Sequence, residues 1–510
     1  MRLRQRLWNP YVIVFISSAC IMVLELVASR LIAPQLGVSL YTWTSVIGVI
    51  LAGISLGNYI GGRLADRYAS PRFLGLIFAL AALGSLSVLW LNSKMGNINL
   101  PQAIPLLLWV VAFIAAEFFI PSTILGCVSP IVVKLSLKNL ERSGTTVGKI
   151  YAWSSVGSIV GTFATGFFLI SWFGTKTIIL IISGVLLALA LWFLTDTTPR
   201  RAIISALAAL LAVGGTAGAL WRGGFLCRDC LLETNYFCIK VNTIQEGYDQ
   251  IEGFETIREL ILDRLVHSYS NLQNPLSLRY GYEQTYALVI EPLLAQKPDL
   301  AAFFIGGGGY TFPRYLEAKV PQSHLVVAEI DPGVTAVAKA YLGLREDTRI
   351  ITHNMDARLF MRWYSQPDSY DIIFGDAFND YSVPYHLTTL EFARLVDRLL
   401  RDDGLYLANI IDGGAHGHFL RAFVRTVQQV FPYVQVIPSI DGWREASRST
   451  FVIVASHRPL DLSYLPESAL VLSQEELAAY LALEEPVILT DDYVPVDNLL
   501  APVFEDSNRS

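Results

Sequence analysis

Hydrophobic residues are distributed unevenly along the chain. Apolar stretches of about 20 residues, the length that crosses roughly 30 Å of hydrocarbon, recur as far as Trp221. Such stretches predict transmembrane helices, because a helix satisfies its own backbone hydrogen bonds in lipid. The pattern predicts seven spans, with the fourth kinked by Pro121, near residues 11–33, 43–62, 73–92, 104–133, 150–171, 176–195 and 202–221.

After Trp221 the pattern changes to short segments. YFCIKV, at residues 236–241, alternates apolar and polar positions as a strand does. Five apolar runs then alternate with helical patterns; the runs are AAFFIGGGG, HLVVAEID, RIITHNMDA, YDIIFGDAF and GLYLANIID. This alternation predicts a mostly parallel, doubly wound, Rossmann-like α/β sheet. We therefore predict a transmembrane helical bundle (1–221), a connecting segment with a small β domain (222–279) and a Rossmann-like domain (280–510).

Composition and charge narrow the class of protein. Hydrophobic residues make up 53% of the 510 residues and charged residues only 16%, as expected for a membrane protein with a soluble domain. The net charge of −6 argues against a general nucleic-acid binder. We predict an integral multi-pass protein of the plasma membrane of a prokaryote.

Lysine and arginine are concentrated in alternate loops between the predicted spans, which places the N-terminus in the cytoplasm. Seven spans would then put the C-terminal domain outside the cytoplasm. A substrate made in the cytoplasm would favour the inside instead, so the sequence leaves the side of this domain open.

Two carboxylates, Glu25 and Glu117, interrupt the predicted spans. Ionisable groups are costly in lipid and usually face the interior of a bundle or a cavity. Two interpretations stay open: a ligand or proton site, or a structural pair such as Glu25 with Arg30. The sequence shows no convincing inverted repeat, so a complete transporter is not predicted.

Glycines and acids follow the ends of four successive predicted strands. Gly306–Gly309 follow the first, Glu329 and Asp331 the second, Asp356 the third and Asp376 the fourth. In doubly wound sheets ligands bind beyond these carboxyl ends. Glycines let the backbone approach a ligand closely, and an acid about 20 residues later suits ribose hydroxyls. Asp356 is placed to accept from an adenine amino group.

These residues predict a site for a positively charged adenosine compound. No lysine follows the glycines, which excludes a P-loop. The carboxylates would repel a phosphate but attract a sulfonium, which favours S-adenosylmethionine or its decarboxylated form over NAD. The alternative is a doubly wound domain with acidic loops and no ligand. The suitable groups at four consecutive strand ends argue against it.

The same segments resemble the spermidine synthase (polyamine aminopropyltransferase) family, in its subgroup fused to N-terminal transmembrane helices. The likeness covers about residues 230–500, with LELVASRLIAP and GNYIGGRLADR in the membrane half. It places ETNYFCIKV at the family's N-terminal strand, GGGGYTFPRYL at the glycine-rich loop, VVAEIDPGV at the ribose segment, NMDAR at the adenine contact and DIIFGDAFNDYSVPYHLTTLEF at the catalytic loop.

The resemblance implies transfer of an aminopropyl group from decarboxylated S-adenosylmethionine to a diamine such as putrescine, giving spermidine. Asp376 would be the catalytic base. The implied donor-binding residues are Gly306, Gly307, Gly308, Glu329, Asp331, Asp356 and Ala357. The implied acceptor-binding residues are Tyr236, Tyr282, Asn379 and Asp380. No metal and no tightly bound cofactor are implied. The partners would be the lipid bilayer, a small amine and the adenosyl sulfonium donor, without nucleic acid, and a homodimer is left open.

The chain departs from the family's pattern where the amines are handled. The family's loop carries an aspartate after three glycines, where this chain has Gly309. Phe237 replaces a glutamine, and Asn379 replaces the second aspartate of the catalytic loop, with Asp380 one residue later. Three hypotheses therefore stay open: an aminopropyltransferase, a methyltransferase-like enzyme on the same scaffold, or a nucleoside- or polyamine-binding domain without turnover, coupled to a transporter-like bundle.

Three of the five cysteines, Cys227, Cys230 and Cys238, follow the last predicted span. A Cys-x-x-Cys pair with one further cysteine nearby is a weak zinc pattern. In an oxidising compartment we expect a disulfide between Cys230 and either Cys238 or Cys227, and in the cytoplasm free thiols.

Overall fold

The structure is a computed structural model that describes residues 9–36, 39–95, 105–137, 142–194, 230–247, 254–377, 383–414, 417–466 and 468–507. These residues form two compact units that divide at Cys230, except that residues 233–235 belong to the first. We call them the N-terminal and C-terminal units. Asn379, Asp380, Cys227 and the seventh predicted span (202–221) lie outside the described residues.

The N-terminal unit is helical. Its helices are α1 (Pro10–Leu36), α2 (Leu40–Tyr68), α3 (Pro71–Met95), α4 (Leu106–Ile114), α5 (Ile120–Gly126), α6 (Val128–Ser136), α7 (Ser143–Ala164), α8 (Ile170–Phe173) and α9 (Thr175–Leu194). Within the described residues, six stretches are long and apolar enough to cross a membrane, and each of the first six predicted spans falls on one of them.

The fourth predicted span changes its hydrogen-bonding pattern just before Pro121. Ala115–Phe119 form a π-helical turn between α4 and α5. Proline has no backbone N–H, so the carbonyl four residues earlier, that of Glu117, loses its helical partner. A π turn is one way to absorb that loss. Where the sequence predicts a kink at Pro121, the structure has a change of helix type, and Glu117 lies within the π turn.

Glu117 is fully buried inside the N-terminal unit. The side-chain amide of Asn92 donates to both its oxygens, at 3.4 and 3.5 Å. Asn92 in turn exchanges hydrogen bonds of 3.0 and 3.2 Å with Gln35. The other predicted carboxylate, Glu25, has a buried Oε2 without a hydrogen-bond partner among the described residues. A ligand role for these two acids stays a prediction.

Glycines bring α7 into backbone contact with α1. A Cβ atom placed on Gly157 would lie 2.2 Å from the carbonyl oxygen of Phe15, and one on Gly161 would lie 2.6 Å from that of Ala19. Small residues at such crossings let helices approach closely where no water is available to drive association.

The C-terminal unit begins with a small sheet in the order β1-β2-β3-β4. Its strands are β1 (Leu232–Glu233), β2 (Cys238–Gly247), β3 (Phe254–Leu262) and β4 (Leu265–Asn271). A disulfide joins Cys230 to Cys238, which is one of the two pairings that the sequence predicts.

The second sheet has seven strands in the order β10-β11-β9-β8-β5-β6-β7. They are β5 (Ala301–Ile305), β6 (His324–Ala328), β7 (Ile351–His353), β8 (Tyr370–Gly375), β9 (Leu400–Asp412), β10 (Tyr433–Pro438) and β11 (Ser449–Ser456). Strands β9 to β7 are parallel, and β11 pairs antiparallel with both β9 and β10. The predicted Rossmann-like fold is confirmed, and the strand order reverses between β5 and β8, where such sheets bind ligands.

Helices connect these strands. They are α10 (Gly281–Gln296), α11 (Thr311–Lys319), α12 (Pro332–Tyr341), α13 (Ala357–Trp363), α14 (Leu390–Leu399), α15 (His418–Val427), α16 (Gln474–Leu481) and α17 (Val496–Ser507). All five residues of β5 are buried, because the strand lies in the middle of the sheet with both faces covered.

We predict that Gly157→Val destabilises the N-terminal unit. The added side chain would meet the backbone of Phe15, and overpacking of this kind costs about 1–3 kcal/mol or more. The measurement is thermal unfolding of the full chain in detergent, where the variant should melt at a lower temperature. Gly148→Val on the same helix is the matched control, since nothing lies within 4 Å of its Cβ position. An equal effect of both substitutions would contradict the close contact.

Candidate functional site

The glycine loop after β5 forms the floor of a crevice at the switch point of the sheet. Gly306 has φ +93° and Gly308 has φ +48°, conformations that side chains disfavour. A Cβ on Gly306 would lie 2.5 Å from the carbonyl oxygen of Asp376, and one on Gly309 would lie 1.9 Å from Ser268 Oγ. The loop therefore touches the end of β8 on one side and β4 on the other, and only glycine fits at these two contacts.

Glu329, just after β6, is buried against this loop. Its Oε2 accepts hydrogen bonds from the backbone N–H of Gly307 (2.8 Å) and Gly308 (3.4 Å), and its Oε1 accepts from that of Asp331 (2.9 Å). Burial raises the pKa of Glu329, and these N–H groups oppose that rise. The predicted ribose-binding acid thus lies beside the predicted loop, where it holds the loop in shape.

Asp331, two residues after Glu329, lies at the start of α12. It is fully buried, and its Oδ1 accepts a 2.8 Å hydrogen bond from the N–H of Gly333 at the start of α12. Together with Pro332 at the first helical position, this is an ordinary N-cap. The structure therefore gives Asp331 a structural contact, and its predicted contact with a donor stays a prediction.

Asp356 lies at the edge of the crevice and caps α13. Its Oδ1 accepts from the N–H of Leu359 (2.9 Å), and its Oδ2 lies 2.7 Å from His386 Nε2. Burial raises the pKa of Asp356, but the hydrogen bonds from His386 and Leu359 outweigh it, so the pKa lies below its ordinary value. Ala357, also predicted at the donor site, is the buried first residue of α13.

Asp376 follows β8 and faces α10 and β9. The hydroxyl of Tyr282 donates to its Oδ2 (2.7 Å), and the side-chain amide of Asn409 donates to its Oδ1 (2.9 Å). Burial of the carboxylate raises its pKa, although these two hydrogen bonds and the nearby His267 pull it down. The structure thus brings together two predicted residues, Asp376 and Tyr282, from positions 94 residues apart.

Tyr236, predicted to contact the acceptor, lies near the acids of the donor side. Burial and the negative charges of Asp331, Asp356 and Glu329 together raise the pKa of its phenol. Its side chain is 41% exposed, which leaves it accessible at the rim of the crevice.

Sequence reasoning missed several residues that face the crevice. Asn409 lies inside a buried strand, and His386 lies in a short 3₁₀ turn within the segment that resembles the catalytic loop; neither is predicted as a site residue. Ser268 and Glu283 line a cavity behind the glycine loop together with Asp376. Glu283 follows Tyr282 on α10, and the sequence analysis does not single it out. In the part of the chain that the structure describes, no group of three or more His, Cys, Asp or Glu residues is placed to hold a metal ion.

Parts of the chain are similar to known polyamine aminopropyltransferases and to a known domain family. The family model of the spermine/spermidine synthase domain matches residues 288–449, which run from the middle of α10 to the first residue of β11. A polyamine aminopropyltransferase 2 of Ralstonia nicotianae is 22% identical over 456 residues, covering 84% of each chain. A polyamine aminopropyltransferase of Vibrio vulnificus is 32% identical over 138 residues, which cover 27% of this chain and 46% of that one.

A solved structure described as a probable spermidine synthase from Corynebacterium glutamicum superposes with a TM-score of 0.43 and 20% identity. The superposition covers 50% of this chain and 94% of that one, and at this TM-score it supports no argument about individual residues. The domain match and the two relatives confirm the resemblance read from the strand-end motifs. Residues 288–449 of the chain thus match the spermine/spermidine synthase domain.

Proposed function

We propose that this chain is a membrane-anchored aminopropyltransferase, which transfers the aminopropyl group of decarboxylated S-adenosylmethionine to a diamine such as putrescine. The observation that carries the proposal is the placement of Asp376. Asp376 follows the carboxyl end of β8, and its backbone carbonyl oxygen lies against Gly306. Its carboxylate is held by Tyr282 and Asn409, and the residue lines a cavity together with the glycine loop.

The donor's adenosine would occupy the crevice above the glycine loop. Nothing lies within 4 Å of the Cβ position of Gly308, which leaves space for a ligand to approach the loop there, and Glu329 accepts from the neighbouring N–H of Gly307. Asp356, whose pKa is held below its ordinary value, stays ionised at the rim. These negative charges would favour a sulfonium compound over a nucleotide, because a phosphate would be repelled.

In the transfer the acceptor's amine nitrogen attacks the aminopropyl carbon bound to sulfur. The new C–N bond forms, the C–S bond breaks with its electrons staying on sulfur, and 5′-methylthioadenosine leaves. The attacking nitrogen loses one proton, for which Asp376 is the acceptor. Its raised pKa suits a base, since proton transfer improves as the pKa of the base approaches the working pH.

Tyr282 and Asn409 would position this base. Each donates to a different oxygen of Asp376, which fixes the plane of the carboxylate and leaves each oxygen a second lone pair for substrate. Both donors are neutral, so the negative charge remains available to a cationic amine.

Membrane anchoring is supported by the six apolar helices. We further propose that the C-terminal unit faces the outside of the cytoplasm, because disulfides such as Cys230–Cys238 persist in oxidising compartments. A cytoplasmic N-terminus followed by all seven predicted spans, of which the seventh (202–221) lies outside the described residues, would give the same side. C-terminal fusions to two reporters, one active only outside and one only inside the cytoplasm, test this. Activity of the outside reporter alone is expected, and activity of the inside reporter alone would reverse the assignment.

We predict that Asp376→Asn lowers the rate of 5′-methylthioadenosine release from decarboxylated donor and putrescine by about 10²–10⁴-fold, because an amide cannot accept the proton. Asp402→Asn, at an exposed position, is the matched control and should keep full activity. An unchanged rate in Asp376→Asn would exclude its role as the base. Release of S-adenosylhomocysteine from S-adenosylmethionine, with no reaction of the decarboxylated donor, would instead identify a methyltransferase.

The same substitution should increase stability at neutral pH. A folded-state pKa that is raised above the unfolded value stabilises the fold at pH below the unfolded pKa, and this contribution is lost as the pH rises through the folded pKa. Asp376→Asn avoids burying the charge, so it should melt above wild type at pH 7, with a gap that narrows towards pH 4. Thermal unfolding of both proteins in detergent checks this, and a gap that widens in acid would contradict the sign.

A further inference from the structure

A histidine lies against the acid that caps α13. His386 belongs to the 3₁₀ turn Tyr385–Leu387, and its Nε2 lies 2.7 Å from Asp356 Oδ2. The histidine side chain is 32% exposed and the aspartate side chain 21%, so the pair is partly buried at the edge of the crevice. The carboxylate is therefore held by the histidine and is still open to a ligand.

The histidine is the hydrogen-bond donor of this pair. Although burial raises the pKa of Asp356, the hydrogen bonds from His386 and Leu359 hold it below its ordinary value. The carboxylate is therefore ionised at neutral pH and can only accept, so Nε2 of the ring carries a proton. The N–H of Leu359 donates to the other oxygen, Oδ1 (2.9 Å). One donor on each oxygen fixes the plane of the carboxylate and leaves lone pairs for a ligand.

The position of the histidine is itself fixed from α13. Arg358, two residues after Asp356, donates through Nη1 to the backbone carbonyl oxygen of His386 (2.9 Å). The same guanidinium forms a bidentate pair with Asp491, at 2.8 and 2.6 Å. Asp491 also accepts from the hydroxyl of Thr389 (2.7 Å), the N-cap of α14 just after the turn. Helix α13 thus holds both the backbone and the side chain of His386.

A fixed carboxylate at the edge of a nucleoside site can select the base. Adenine carries an amino group at C6, which donates hydrogen bonds, whereas guanine carries a carbonyl oxygen there, which accepts. A carboxylate that faces C6 gains a charge-assisted hydrogen bond from adenine and repels the carbonyl oxygen of guanine. Holding the carboxylate in advance removes the cost of ordering it when the ligand binds.

We propose that His386 is a positioning residue, which holds Asp356 in the orientation that accepts a hydrogen bond from the C6 amino group of adenine. The inference rests on the proposed function, which places adenosine in this crevice, and extends it to the selection of the base. A purely structural histidine would stabilise the turn and affect every ligand of the crevice equally. A positioning histidine affects only ligands that carry the amino group.

The experiment is calorimetry on the full chain in detergent with two ligands. One is 5′-methylthioadenosine, and the other is its analogue with hydrogen in place of the C6 amino group. His386→Phe keeps an aromatic ring beside Tyr385 (centroid distance 5.6 Å) and removes the donor. In this variant we expect Kd for 5′-methylthioadenosine to rise about tenfold, because a hydrogen bond to a charged group is weakened. Kd for the analogue should stay within about twofold.

Two further variants serve as controls. His386→Gln has a side-chain N–H that can replace Nε2–H, so it should keep Kd for 5′-methylthioadenosine within about threefold of wild type. His457→Phe is the matched control, because His457 Nε2 forms the same kind of pair with Asp397 Oδ1 (2.5 Å). His457 follows β11 where that strand pairs with the start of β9, at the edge of the sheet opposite the crevice. It should leave both Kd values unchanged.

An equal rise in Kd for both ligands in His386→Phe would show a structural role and overturn the proposal, as would no rise in either. A wild type that does not prefer 5′-methylthioadenosine to its analogue would overturn it too. If His386→Phe does not fold, His386→Ala is read by the same two titrations with the same outcomes. Binding does not require turnover. A wild type with this preference that releases no 5′-methylthioadenosine from the decarboxylated donor would therefore disprove the proposed function and leave the role of His386 in place.

Discussion

A carboxylate removed from water needs hydrogen-bond donors, and this requirement fixes the shape of the crevice. Glu329 is buried, and it accepts from three backbone N–H groups, those of Gly307, Gly308 and Asp331. The loop after β5 and the segment after β6 are thereby joined through one side chain. The conformation of the glycine loop is consequently set by the charge that lies beneath it as well as by the absence of side chains.

The two ends of β8 show two ways of burying an acid. Asp371, near its start, is paired with Lys297 and Arg401, both at 2.7 Å, and accepts a further hydrogen bond from the N–H of Ala301. Asp376, just past its end, is hydrogen-bonded to a neutral phenol and a neutral amide. The first acid is neutralised within the protein and holds β5 and β8 together. The second keeps a charge that a cationic substrate can neutralise, which is the difference between a structural and a functional carboxylate.

Much of the candidate site could be predicted from the sequence, because each strand and the residues that follow it form one short stretch of the chain. The apolar runs ending at Ile305, Ala328 and Gly375 are strands, and in a parallel sheet their carboxyl ends meet at one edge. The sequence analysis predicts Asp331 as a donor-binding acid. An aspartate followed by proline is also typical of a helix N-cap, and in the structure Asp331 is an N-cap.

The partners of Asp376, the predicted Tyr282 and the missed Asn409, reach it through contacts between distant segments. The hydrogen bond from Tyr282 spans 94 residues and that from Asn409 spans 33, and both follow from the strand order around β8. Glu283 is buried on α10 next to the predicted Tyr282. Its Oε2 has no hydrogen-bond partner among the described residues, and no sequence pattern reports an unsatisfied atom.

In the N-terminal unit, too, a buried carboxylate needs hydrogen-bond donors from the protein. Glu117 is fully buried, so its partners come from the helices themselves, through Asn92 and then Gln35. Attachment to a membrane requires only one apolar helix, and a buried carboxylate adds nothing to it. The π turn before Pro121, which contains Glu117, is a conformation that is frequent at functional sites. Anchoring alone therefore does not account for the composition of this bundle.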